Sequence, residues 1–228
     1  MKIKNLNYIL PNKRQLFNHL NLAFKDDKIN IIIGPNGVGK TTLLDFIAGL
    51  HRPKGAQFLG FPSSNKVAYQ LQGVPFIAEV SVFSTMKMVM DIENSKNHFK
   101  KTDLPPELKK VADTPYGKLS GGQRRIVILD IIGRLNRNLY LFDEPESGLD
   151  PKMSKKAIQK IQSLNQTGKK IIMTSHTFQN IDSKNNRFYI HFLKQGQIRF
   201  SGTPAEFLAS RKTNNLIDAY INTDNHTF

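Results

Sequence analysis

The sequence predicts an α/β fold in which a mostly parallel sheet is flanked by helices and interrupted by a small helical region. Three observations carry that expectation. The run Ile29–Ile33 (INIII) is nearly continuous in β-branched residues, as in a strand covered on both faces, and it leads through a glycine-rich loop into TTLLDFIAGL, whose apolar residues recur at helical spacing. Leu139–Phe142 (LYLF) and Ile171–Thr174 (IIMT) read as two further buried strands, each followed by polar residues at its carboxyl end. From about Gly73 to Lys118 the chain has helical stretches and the breaker Pro105-Pro106 but no strongly β-branched run, which predicts a helical lobe inserted into the core. Late in the chain, Tyr189–Leu193 and Gln197–Phe200 are expected to pair as a hairpin around Gly196.

Composition narrows the function classes. At 228 residues, 39% hydrophobic and 22% charged, the chain can bury the core of one domain and reads as globular. No apolar run reaches the length of a bilayer span, and MKIKNLNYILPNKRQ lacks the continuous apolar centre of a signal peptide, so a cytosolic location is expected. The absence of cysteine excludes disulfides, thiolate metal sites and cysteine nucleophiles. A net charge of +15 points to an anionic partner, which could be nucleotide, nucleic acid or the acidic inner face of a membrane. Charge alone does not choose among them, and the short runs Lys109-Lys110 and Lys169-Lys170 read as solvated surface.

The first chemical motif is GPNGVGKTT, Gly34–Thr42, placed between the expected strand and helix. A polyphosphate requires many converging donors and little steric bulk. Gly34, Gly37 and Gly39 allow successive amides to face the phosphates, and the helix N-terminus adds its dipole. Lys40 is expected to reach the β- and γ-phosphates and Thr41 to hold Mg²⁺ by its hydroxyl. Asn36, Val38 and Thr42 would add mainly backbone or secondary contacts.

The second motif, LYLFDEP, brings Asp143 and Glu144 to the end of a strand. Alone, such an acidic pair is more often a helix cap or a surface turn. Beside a phosphate loop, Asp143 suits a Mg²⁺ shell and Glu144 can accept a proton from the attacking water. His176, after IIMTS, is taken alone an ordinary hydrogen-bonded histidine. At the carboxyl end of a parallel strand it becomes a candidate contact to the γ-phosphate.

A second glycine-rich stretch, LSGGQ, precedes another apolar helical run, RRIVILDIIGRL. Ser120, Gly121, Gly122 and Gln123 thus form a further phosphate-seeking helix N-terminus. Lys40 already serves the phosphates from one side, so symmetry offers the economical solution: the second loop of each protomer closes on the nucleotide held by the other.

With GPNGVGKTT, LSGGQ, LYLFDEP, SGLD and the histidine of TSHT in this order, the chain resembles the ATP-binding-cassette (ABC) ATPases. The resemblance covers nearly the whole chain. It implies a single ABC ATPase domain over residues 1–228, with a P-loop NTPase core at 1–72 and 119–228, an antiparallel β region near the amino terminus and an abbreviated helical subdomain at about 73–118. ATP and Mg²⁺ are the implied ligands. Gln72, in VAYQLQ, looks like the glutamine that touches Mg²⁺ and water and senses the membrane subunit, and the spacing to Val80-Ser81-Val82 favours it over Gln70. Ser147–Asp150 resembles the loop that crosses the dimer, which places Asp150 near the shared nucleotide. Tyr8 is a candidate to stack on adenine, although core packing suits it equally and alignment places Leu10 there. Ile126, Ile128 and Asp130 stand where the family has an arginine and alanines, and Glu146 replaces a threonine or serine.

The implied partners are a separately encoded transmembrane permease and a second ATPase subunit, identical or related, with the protein peripheral at the cytoplasmic face of the membrane. The tail NNLIDAYI, Asn214–Ile221, resembles exporter-type subunits. The alternative is a soluble ABC ATPase acting on nucleic acid or ribosomes. Such proteins are expected to carry two cassettes or a long coiled-coil insertion, so nucleic acid is not the expected partner.

Overall fold

The protein is seen in a computed structural model that describes residues 1–71, 76–93, 98–176, 178, 180–181 and 186–221. Strands β1 (Lys2–Ile9) and β2 (Gln15–Ala23) pair antiparallel, and β4 (Gln57–Leu59) adds to the other edge of β1, giving the expected amino-terminal antiparallel sheet in the order β2-β1-β4. Between them run β3 (Ile29–Ile33) and helix α1 (Lys40–Ala48). The larger sheet has the order β5-β6-β7-β3-β8-β9, with β5 (Val67–Gln70), β6 (Leu139–Phe142), β7 (Lys170–Thr174), β8 (Phe188–Lys194) and β9 (Gln197–Gly202). Its first five strands are parallel, and the β8–β9 hairpin turns through Gln195 and Gly196.

Strand alternation divides the core into two. Ile31, Phe142, Met173 and Phe192 point to one face, while Ile32, Leu141, Ile172 and Leu193 point to the other. The second face packs on α1 and the antiparallel sheet. The first is covered by helices α2 (Val82–Glu93), α4 (Gly121–Arg134) and α5 (Pro151–Gln166), with α6 (Pro204–Ser210) and α7 (Leu216–Ile221) following β9. The short helix α3 (Pro106–Lys109) lies between α2 and α4, and Leu108 buries into this face. Where a helical lobe was expected, the described residues form α2, α3 and two 3₁₀ turns, plus one isolated bridge between Ser81 and Pro115.

The family-atypical residues of α4 find local partners. Ile126 is buried in the core, and Asp130 is held 2.6 Å from both Arg134 and Lys160, so an ion pair ties α4 to α5. Glu146 is buried and accepts a hydrogen bond from the Ser175 hydroxyl, joining the turn after β6 to the end of β7.

Parallel strands end at one level, and that edge positions the site. β3 delivers the phosphate loop, β6 delivers Asp143 and Glu144, and β7 delivers Thr174, Ser175 and His176.

Candidate phosphate-binding site

The phosphate loop begins at Gly34, where a side chain is sterically impossible: a Cβ there would lie 2.2 Å from the Leu193 carbonyl oxygen on β8. Gly39 caps α1 with φ of 108°, a left-handed conformation that L side chains rarely adopt. The loop can therefore turn its amides outward at the start of α1. Lys40 is buried, and its Nζ donates to the carbonyl oxygens of Gly34 at 2.8 Å and Pro35 at 3.2 Å. Burial lowers its pKa, and the carboxylates of Glu144 and Asp143 oppose that shift.

The Thr41 hydroxyl donates to Asp143 Oδ2 at 2.8 Å. Asp143 is buried at the end of β6, and its Oδ1 accepts from the Thr174 hydroxyl at 2.5 Å. The same Thr174 oxygen accepts from the Glu144 amide at 2.9 Å. Glu144 is a non-glycine residue with φ of 48°, and its Oε2 lies 3.2 Å from Nδ1 of the exposed His176. The sequence expectation thus meets an assembled group: Lys40, Thr41, Asp143, Glu144 and His176 come together.

A cavity of about 320 Å³ opens above them, lined by Leu10, Arg14, Leu16, Asn36, Gly37, Gly39, Lys40, Thr41, Thr42 and Glu144. Of the two readings held open for Tyr8, adenine stacking and core packing, the structure displays the packing. The Tyr8 ring packs edge-on against Phe46 at 4.9 Å and His51 at 5.9 Å, whereas Leu10, two residues on, lines the cavity. Tyr8 is drawn toward the α1 core by this aromatic packing. Val38 also packs against that core, consistent with a backbone contribution only. Gln72 lies outside the described residues, and Gln70 is buried in β5.

Ser120, Gly121, Gly122 and Gln123 stand apart from this cavity. Ser120 caps α4, its hydroxyl accepting from the Gln123 amide at 3.2 Å while its own amide donates to Gln123 Oε1 at 2.9 Å. Asp150 caps α5 by accepting from the Met153 amide at 2.9 Å. Both caps hold their helix ends without reaching the cavity.

Three residues were missed by sequence reasoning. Arg14, in the β1–β2 turn, donates to the Gly37 carbonyl at 2.9 Å. Thr174 bridges the two acidic residues, and Arg125 donates to the Glu144 carbonyl. Only Thr174 carried a signal, through its position at the end of a buried strand beside His176.

The donor set fits MgATP. Left-handed glycines, a helix N-terminus and a buried lysine suit phosphate oxygens, and the adjacent Thr41 hydroxyl and Asp143 carboxylate are hard oxygen ligands of the kind Mg²⁺ takes. Among the described residues no three His, Asp or Glu side chains cluster to hold a metal.

Residues 17–147 match the protein family described as ABC transporter. The chain belongs to this family. This ABC protein is 33% identical over 202 residues to the energy-coupling factor transporter ATP-binding protein EcfA1 of Thermotoga maritima, covering 83% of this chain and 76% of the relative. It is 26% identical to the arginine transport ATP-binding protein ArtM of Bacillus subtilis, over 90% of this chain and 92% of the relative. Among solved structures, an ATP-binding subunit of an ABC transporter superposes with a TM-score of 0.81 at 18% identity, covering 98% of both chains. A dimeric cassette in a post-hydrolysis state with ADP and Pi does so with a TM-score of 0.68 at 21% identity, covering 89% of this chain and 98% of that one. As an ABC cassette the protein is an ATPase that uses ATP and Mg²⁺.

Proposed function

We propose that this ABC protein closes with a second cassette around two MgATP, hydrolyses them and drives a separately encoded membrane permease. The observation that supports the shared site is the separation of its two phosphate-seeking termini. The cavity is lined by Lys40, Thr41, Thr42 and Glu144 but by no residue of 120–123, and a Cβ on Gly121 would meet nothing within 4 Å. Gly121 is at neither positive φ nor a tight contact in this chain. Its glycine is explained by close approach of a nucleotide carried by a partner cassette.

In the proposed reaction Lys40 exchanges its loop carbonyls for phosphate oxygens. Thr41 and Asp143 would hold Mg²⁺, which would supply neutralisation of phosphate charge. Glu144 takes a proton from the water whose oxygen bonds to the γ-phosphorus as the bond to the β–γ bridging oxygen breaks, releasing ADP and phosphate. His176 holds the Glu144 carboxylate from the exposed side, Gln72 would sense the permease, and Asp150 would help join the two subunits. Leu10, Arg14 and Leu16, and not Tyr8, line the cavity beside the phosphate loop.

Glu144→Gln tests this reading. ATP binding should persist while turnover falls about a hundredfold or more, and ATP with Mg²⁺ should trap a stable dimer by light scattering. Undiminished hydrolysis would remove the role given to Glu144.

For the permease, the exposed Ile77, Met88 and Ile92 of the helical stretch offer an apolar docking face, and the +15 charge suits an anionic inner leaflet. No described helix is long and apolar enough to cross a membrane, in keeping with a peripheral, cytoplasmic-face subunit. In α7 Tyr220 packs on Phe178 and Phe192, and the likeness of this tail to exporter-type subunits is the ground on which export is proposed. Vesicles of the assembled transporter with outward-facing cassettes should then accumulate substrate on adding ATP, and ATP-driven loss of substrate from them would reverse the direction.

A further inference from the structure

Arg125 sits five residues into the helix capped by Ser120, yet its guanidinium reaches back to the end of β6, where Nη1 donates to the main-chain carbonyl of Glu144. The Glu144 amide is held from the other side by the Thr174 hydroxyl at 2.9 Å, which is itself bonded to Asp143 at 2.5 Å. Glu144 is thereby clamped between α4 and the sheet in a left-handed conformation, with φ of 48°. For a non-glycine residue that conformation is unfavourable and persists where surrounding contacts enforce it. The side chain beyond this clamp is the carboxylate that faces the cavity and lies 3.2 Å from His176.

From this geometry we infer that Arg125 is a positioning residue for hydrolysis, carrying the state of α4 to Glu144 within one subunit. The inference rests on Glu144 being the hydrolytic carboxylate. The physical link is rigid. Arg125 is half-buried, its helix begins at the exposed Ser120 and Gly121, and any shift of that helix is transmitted to the Glu144 carbonyl through a charge-assisted hydrogen bond. A ligand engaging Ser120 from outside would thus re-aim the carboxylate of the same chain that offers the serine. Each closing contact then primes the opposite nucleotide as well as the one it touches. A shift of about 1 Å in a catalytic group suffices to change rate about a hundredfold.

The experiment compares Arg125→Ala, Arg125→Gln and Arg125→Lys in steady-state ATP hydrolysis, ATP binding and thermal melting, with Glu144→Gln as reference. The expected result for Arg125→Ala is a fall in kcat of about ten- to a hundredfold with KM and ATP affinity within about twofold of wild type, and partial recovery in Arg125→Lys, which keeps a charged donor. Adding Arg125→Ala to Glu144→Gln should lower turnover no further. A kcat for Arg125→Ala within about twofold of wild type would overturn the inference. So would equal losses in all three Arg125 variants accompanied by a lowered melting temperature, since that marks a purely structural arginine. If Glu144→Gln is inactive while Arg125→Ala turns over normally, only this inference falls. If Glu144→Gln hydrolyses ATP normally, the assignment beneath it falls instead.

Discussion

Lowering the pH should destabilise this protein through His191, and the size of the effect follows from the structure. His191 on β8 is fully buried beside β3, with Nδ1 2.9 Å from the Ser201 hydroxyl and Nε2 3.2 Å from Asn30 Oδ1. Asn30 donates its Nδ2 to the carbonyl oxygens of Lys25, Lys28 and Ile171, which orients Oδ1 as an acceptor. Nε2 of the neutral imidazole therefore carries the proton, and Nδ1 accepts from Ser201. The ring is surrounded by Phe24 and Tyr189 at 5.3 and 5.2 Å. Burial, helped by the Lys25 cation, depresses its pKa from 6.5 to about 3. Because the unfolded chain takes up the proton first, the folded state is favoured fully above pH 6.5 and loses that advantage as pH falls toward 3. At pH 5, roughly 1.5 units below the unfolded value, the loss is about 2 kcal/mol at 1.36 kcal/mol per unit. Urea unfolding at pH 7 and pH 5 should show wild type losing about 2 kcal/mol more than His191→Asn. Carboxylates such as Glu93 and Asp26, whose pKa values are lowered by Arg137 and Lys170, act at more acidic pH and are common to both proteins. An identical pH dependence for wild type and variant would refute the assignment of a buried neutral imidazole.

Gly34→Ala should drive the loop from β8, weakening ATP binding more than tenfold by calorimetry and lowering stability by about 1–3 kcal/mol, because the new Cβ meets the Leu193 carbonyl at 2.2 Å. In Tyr69→Phe the hydroxyl that donates to Asp45 at 2.9 Å is lost between β5 and α1; thermal melting should report about 1–3 kcal/mol of destabilisation, with the Asp45 carboxylate deprived of its donor. Ser120→Arg should leave nucleotide affinity of the monomer unchanged but abolish the ATP-trapped dimer in the Glu144→Gln background, and a dimer of normal mass would contradict the shared site. Gly121→Ala should not lower the melting temperature of the isolated chain, since its Cβ enters open space, while it slows ATP turnover.

Much of the architecture was legible because certain signals are local. β3, β6 and β7 are covered on both faces, so each is a mostly apolar run, and GPNGVGKTT and SGGQ place glycines at the starts of α1 and α4. β1 and β2 were not readable as separate strands. Residues at positive φ, Asn5 and His19, break the period-two alternation and shift the pairing register. β4 is three residues long, and β5 (VAYQ) lacks the unbroken apolar run that marks β6, a strand of the same length.

The sequence by itself determined which residue types could carry phosphate chemistry, because that requirement lies in contiguous stretches: Gly34–Thr42, Asp143-Glu144 and Ser120–Gln123. Only the tertiary structure decided what surrounds them. Thr174 touches Asp143 because β6 and β7 are neighbours, Arg125 touches Glu144 because α4 packs beside the end of β6, and Leu10 rather than Tyr8 lines the cavity because the Tyr8 ring is packed on Phe46 and His51 while Leu10 lies just past the end of β1. Sheet order and helix packing are settled by burial of apolar surface summed over the whole chain, and no single stretch of residues contains that sum.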